Sequence, residues 1–360
     1  MSYKKFVFLS ILIPLLIIFA LGILLYVYDP LRLYHKPWFR DDTYYSDIRL
    51  QAKSIIDNND FDSVIIGSSM LENTSAKEAS EKLNANFVNL SAGGSVFKER
   101  TIILNYLLKL KNIKNVIYSL DGYSLVNLDN NRTFNHYDYL YDDNLFNDFK
   151  IYINKKFIFC ALVFSKSQKC VGEINDLENL TSWYKEHLSY FGDINKWNNK
   201  SQIRLKTALL DINKEKCKDI NTPIIKNALN ENIFNLIKDN KNTNFYLIIP
   251  TYSRLYHALN YNNYCFNEWK KILTIIIQES QKYPNVKIYG FDDLDYADDI
   301  ANYKDLEHYN VDMNEMQLDA IKNNTHILTT ENINEYFKIM EENIISYDLQ
   351  PIIEKINKNK

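Results

Sequence analysis

The chain has 360 residues, a formal charge of −3, and 46% hydrophobic against 24% charged residues. That length suits one large α/β domain with an insertion, or two modest domains, and the composition is that of a globular rather than a disordered chain. Without a basic excess nothing points to nucleic acid, and with only 8 Gly and 7 Pro a long flexible linker is not expected.

The run from Phe6 to Tyr28 carries no charge over about 23 residues, long enough to cross a bilayer core of about 30 Å as a helix. Lys4 and Lys5 precede it. The positive-inside rule then keeps the N-terminus in the cytoplasm and sends the remainder across the inner (cytoplasmic) membrane as a single-pass protein. A cleaved signal peptide is the competing reading. The run exceeds a usual signal h-region and no small-x-small site follows it, so residues 1–28 read as a retained anchor. Asp29-Pro30 ends the helix. Residues 29–50 read as a juxtamembrane stretch whose Tyr34, Trp38, Tyr44 and Tyr45 can sit at the headgroup level or pack on the domain.

From about residue 51 the pattern alternates between helix and strand. Asp47–Asp57 looks helical, and Ser63-Val64-Ile65-Ile66 is a short apolar run ending at Gly67, as in a buried strand. A helix over Asn73–Leu83 follows, then the strand Phe87–Leu90 closed by Ser91-Ala92-Gly93-Gly94, a helix near Phe97–Lys111, and the strand Val116–Leu120 closed by Asp121-Gly122. The rhythm stops there and resumes at Phe245–Pro250, with a helix near Asn267–Gln281 and the strand Val286–Phe291. This predicts a parallel sheet with helices on both faces, formed by 51–126 and 241–345. Residues 127–240 form a mostly helical insertion, a possible cap, and 346–360 a C-terminal tail.

Four cysteines, Cys160, Cys170, Cys217 and Cys265, form no C-x-x-C pair, which argues against a zinc site and allows two disulfides outside the cytoplasm. The acidic run Asp292, Asp293, Asp295, Asp298 and Asp299 lacks the EF-hand pattern and reads as a solvated loop. No metal and no cofactor are expected. Asn131-Arg132-Thr133 is an N-x-T acceptor. The insertion aromatics Tyr137, Tyr139, Tyr141, Trp183, Tyr184 and Trp197 suit either a core or sugar stacking.

In open parallel sheets ligands bind at the carboxyl ends of the strands, so chemistry is sought in the strand-end loops. Gly67-Ser68-Ser69 puts a serine in a turn expected to open a helix, where developing negative charge is favoured; a plain helix N-cap is the simpler reading. Among six histidines only His308 has an Asp three residues earlier and lies in a strand-end loop. Asp305 can then bond Nδ1 and leave Nε2 to take a serine proton. Gly93-Gly94 lets a backbone N–H approach a ligand, or makes a tight turn.

Taken in order, these features resemble the SGNH (GDSL-like) hydrolase superfamily, over roughly residues 60–125 and 243–325. The resemblance implies a flavodoxin-like doubly wound parallel sheet, with Ser69, Asp305 and His308 as triad. It also implies an oxyanion hole from Ser69, Gly94 and the position of Asp121. Asp121 departs from the family, which has an Asn there: an ionised carboxylate cannot donate a hydrogen bond. With the N-terminal anchor and Asp29-Pro30, the chain is also similar to the DltD/AlgX/AlgJ-like group that accompanies membrane-bound O-acyltransferases (MBOAT). That similarity implies O-acyl (O-acetyl) transfer to, or removal from, a cell-envelope polysaccharide through an acyl-Ser69 intermediate. It implies an acyl donor and an MBOAT enzyme as partners, and an extracytoplasmic catalytic domain. A non-catalytic partner of the same fold is the second reading.

Overall fold

The computed structural model describes residues 2–121, 137–197, 202–203, 205, 221–260 and 265–357. Asn131–Thr133 and Cys217 lie outside them. The chain divides into two compact units, one of Met1–Asp60 with Phe134–Leu180, the other of Phe61–Thr133 with Thr181–Lys360. This differs from the expected 127–240 insertion. Of that stretch Phe134–Leu180 belongs with the N-terminal segment and the remainder with the sheet, and the helix Ile48–Asn58 also falls on the N-terminal side.

In the first unit the helix Tyr3–Tyr28 is, among the described residues, the one long and apolar enough to cross a membrane. Its 26 residues span about 39 Å at about 1.5 Å per residue. Asp29 ends it in the left-handed region, and its carboxylate collects the N–H groups of Leu33, Tyr34 and His35 and the hydroxyl of Tyr152. Orphan amides just past the helix thus find a buried acceptor, which turns the chain. The buried guanidinium of Arg32 pairs with Asp42 at 2.7 Å and lies over the Tyr44 ring. Tyr44 is therefore core, whereas Trp38 is exposed. A disulfide joins Cys160 to Cys170, closing the helix Lys155–Leu162 onto Gln168–Val171.

The second unit holds five parallel strands: β1 Ser63–Ile66, β2 Phe87–Asn89, β3 Asn115–Ser119, β4 Asn244–Ile248 and β5 Val286–Tyr289, in the order β2-β1-β3-β4-β5. Every residue of β1, β2 and β3 is buried, which is why these strands read as apolar stretches, with polar residues only at their ends, rather than alternating ones. Ile65, Ile117, Ile248 and Tyr289 pack with Leu71, Ala79, Met313 and Leu318 from the flanking segments. The chain leaves β1 toward β2 and returns to β3 on the other side of β1, so the carboxyl ends of β1 and β3 frame a topological switch point.

Two local expectations change. The helix after β1 starts at Ala76, not Asn73, with Ser75 accepting the Glu78 N–H as its cap. The expected tail 346–360 contains a helix, Gln350–Asn357, whose Ile352 joins Ile194, Trp197, Leu255 and Leu306 in a second apolar cluster. Trp197, a candidate for sugar stacking, is buried there.

Candidate active site

Ser69 Oγ lies 2.8 Å from His308 Nε2, and both carboxylate oxygens of Asp305 lie 2.9 Å from His308 Nδ1. With a carboxylate on Nδ1 that nitrogen carries the proton, so Nε2 accepts from the serine hydroxyl. Asp305 Oδ1 also takes the backbone N–H groups of Glu307 and His308, each at 2.9 Å. The Asp-x-x-His segment is thus a turn wound around its own carboxylate. Leu306 fixes it by burial in the second cluster and by accepting the Ser253 hydroxyl at 2.7 Å. Burial alone would raise the Asp305 pKa, but the imidazole and the two amides outweigh it and hold it at about 2.

Ser69 sits not at a helix start but in a string of turns ahead of the helix at Ala76, so the helix-end field expected there does not apply. The turn is held from several sides. The Met70 carbonyl accepts the Tyr309 hydroxyl at 2.9 Å and the Asn314 amide at 3.1 Å. Asn89, at the end of β2, donates to the carbonyls of Leu71 and Thr74. The Trp183 indole N–H donates to the Ser69 carbonyl at 3.0 Å.

Trp183 also meets the His308 ring edge to face, centroids 5.5 Å apart, and carries Lys304 Nζ over its own ring at 3.9 Å. Burial pulls the Lys304 pKa below the usual lysine value, against the opposing pull of Asp305 and Glu72. Residues 181–184 reach this place because Asn73 Oδ1 accepts the N–H groups of Trp183 and Tyr184 and the Ser182 hydroxyl. Trp183 was visible in the sequence only as one aromatic among many.

Gly94 has φ +65°, a backbone that L side chains rarely adopt, and open space where a Cβ would stand. Among the described residues neither its N–H nor that of Ser69 donates to another group of the protein. The Gly93 N–H, by contrast, is taken by Glu72. Gly67 is required for another reason: a Cβ there would stand 2.5 Å from Ser119 Oγ.

The structure turns Asp121 away from a donor role. Its Oδ2 accepts Arg100 Nη2 at 2.5 Å and the Ser119 hydroxyl at 3.0 Å, and its Oδ1 accepts the Ser68 hydroxyl. A carboxylate so occupied is an acceptor only. Arg100 is fully enclosed and also donates to the Ser95 carbonyl and hydroxyl and to the Ser119 carbonyl. Burial works against its charge, yet Asp121 and Tyr118 bring its pKa above the ordinary value. Arg100, Ser68 and Ser119 thus tie the loops after β1, β2 and β3 into one network. Reading the sequence did not single out Arg100. Its signal was a lone charge on a helix face shared with Phe97, Ile103, Leu104 and Leu107.

The acidic run after β5 is solvated only in part: Asp295 and Asp299 are exposed, whereas Asp292 is buried and the buried Arg254 pairs with Asp298 at 2.6 Å and donates to the Asp292 and Leu294 carbonyls. Among the described residues no group of three or more His, Cys, Asp or Glu is arranged to hold a metal ion. No protein-family model matches the chain, and no curated protein matches it in sequence.

Proposed function

We propose that the protein is a membrane-anchored serine acyl-hydrolase or acyltransferase of the SGNH type, working outside the cytoplasm through an acyl-Ser69 intermediate. The observation that carries this reading is the relay Ser69–His308–Asp305, with contacts of 2.8 and 2.9 Å. The relay lies at the carboxyl edge of a parallel sheet, where such folds bind ligands. The strand order supports a flavodoxin-like doubly wound arrangement, and the Cys160–Cys170 disulfide supports an oxidising compartment.

In this mechanism His308 removes the Ser69 proton while Asp305 holds the imidazole in the useful tautomer and stabilises the imidazolium. Ser69 attacks an acyl ester, and the oxyanion is met by the backbone N–H groups of Ser69 and Gly94. His308 then returns the proton to the departing alcohol. A sugar hydroxyl or water, deprotonated by the same imidazole, releases the acyl group. The substrate we favour is an O-acetyl ester of a cell-envelope polysaccharide, handled beside an MBOAT enzyme.

One observation favours the second reading, a non-catalytic partner of the same fold: Asp121 is committed to Arg100 and supplies no side-chain donor. A fluorophosphonate probe on the full chain separates the two. Labelling that disappears in Ser69→Ala and His308→Ala supports the enzyme. A folded chain that never labels overturns it in favour of the partner.

A further inference from the structure

Beside the end of the helix Tyr3–Tyr28, six large apolar residues stand in water-accessible positions. Trp38, Phe39, Phe159, Leu162, Val163 and Phe164 are between 46% and 65% exposed. Single exposed apolar residues need no explanation, but a contiguous set does. Ring contacts join three of them to the helix, since Trp38 meets Phe39, Phe39 meets Phe164, and Phe164 meets Tyr28 at the helix end, while Phe159, Leu162 and Val163 lie in the segment of chain just before Phe164. Trp38 further stacks on His35 at 4.0 Å.

The outward aim of these groups is built in. Phe164 has φ +44°, an unfavourable conformation for a bulky residue. Three constraints hold it there: the Ser165 N–H bonds the Cys160 carbonyl at 2.9 Å, the Tyr28 hydroxyl donates to the Ser165 carbonyl at 2.6 Å, and Cys160 is tied to Cys170. A strained, cross-braced loop that holds a phenylalanine partly exposed beside a membrane-length helix has an obvious neighbour. Lys155, Lys166 and Lys169, close to it in the chain, are exposed, the pattern of a surface meeting apolar chains below and anionic headgroups around.

We infer that this patch is a second membrane contact, a collar seated at the boundary of acyl chains and headgroups next to the anchor. Its occupant is lipid, because the patch is continuous with the helix that is long and apolar enough to cross the bilayer. The inference rests on that helix being inserted and is independent of the acyl-transfer chemistry. The collar sets the depth and tilt at which the first unit meets the bilayer, which one helix alone leaves to packing and interfacial anchors.

The test places the photo-crosslinker p-benzoyl-phenylalanine at position 159, 164 or 17 of the full chain, in nanodiscs of phosphatidylcholine and phosphatidylglycerol. Ile17, on the exposed surface of the helix, reports insertion. Phospholipid adducts at 159 and 164 as well as 17, with the Cys160–Cys170 bond intact by mass spectrometry, are expected. An adduct at 17 with none at 159 or 164, or at only one of them, overturns the collar. Crosslinks from 159 and 164 to protein instead of lipid overturn it in favour of a protein-docking face. Absence of the adduct at 17 overturns insertion itself, and the collar with it.

Discussion

Arg100 and Asp121 form an ion pair closed to water, 2.5 Å between Nη2 and Oδ2. Breaking such a pair on one side strands a charge. We expect Asp121→Ala to cost about 3–5 kcal/mol of unfolding free energy, and the double replacement Arg100→Leu with Asp121→Ala to recover a large part of it. Urea unfolding of the two singles and the double gives the coupling. Additive single effects below about 1 kcal/mol would show that the pair is incidental.

Asp305 gives an acid-side prediction. Its folded value of about 2 lies below the roughly 3.9 of a free aspartate. Its contribution to stability is therefore whole above about pH 4 and is lost as pH falls through about 2. At about 1.4 kcal/mol per pH unit the full shift is worth about 2.6 kcal/mol, of which about 2 kcal/mol is gone by pH 2. Chemical denaturation at pH 5 and pH 2 should show the wild type losing that much more than Asp305→Asn. Equal losses in the two chains would contradict it.

Trp183→Phe keeps a ring against His308 and under Lys304 but removes the N–H that holds the Ser69 carbonyl. One such bond is worth about 1 kcal/mol, so fluorophosphonate labelling should slow by roughly fivefold to tenfold with little change in Tm. Trp183→Ala should slow it further. A Phe variant that labels at the wild-type rate would remove Trp183 from the positioning role.

The two glycines should respond differently to alanine. At Gly94 a Cβ meets nothing, so Gly94→Ala should cost about 1–2 kcal/mol from its left-handed backbone alone. It should also slow labelling by shifting the N–H proposed to meet the oxyanion. At Gly67 the new Cβ would fall 2.5 Å from a Ser119 hydroxyl already fixed by Asp121 and Arg100, so Gly67→Ala should destabilise more. Thermal unfolding and labelling rates of both variants decide it, and the reverse order of stabilities would count against the network.

Some of this was readable from the chain and some was not, for physical reasons. The strands were legible because burial on both faces leaves an apolar stretch such as Ser63–Ile66, and the strand-end rule then picked out which Ser, Gly, Asp and His to compare. The helix start was misplaced by three residues although Ser75 and Glu78 carry the capping spacing; turns at 69–74 rich in helix-tolerant residues masked it. Arg100 and Trp183 escaped because their partners are set by three-dimensional packing. Nothing local tells an arginine on a helix that Asp121 waits at a strand end, or tells one aromatic of an aromatic-rich stretch that it will cover a histidine. The division into units escaped for the same reason, since residues 137–180 share no pattern with the N-terminal segment they join.

The Tyr309 hydroxyl bound to the Met70 carbonyl has a bearing on the second half of a two-step acyl transfer. Once Ser69 is esterified, its hydrogen bond to the imidazole no longer exists, and two loops joined only there would be released to drift. Here the residue after His308 grips the residue after Ser69, a brace that acylation of Ser69 would leave untouched. In the proposed acyl transfer this brace would keep the imidazole in register to activate the incoming acceptor, so that turnover would need no re-docking.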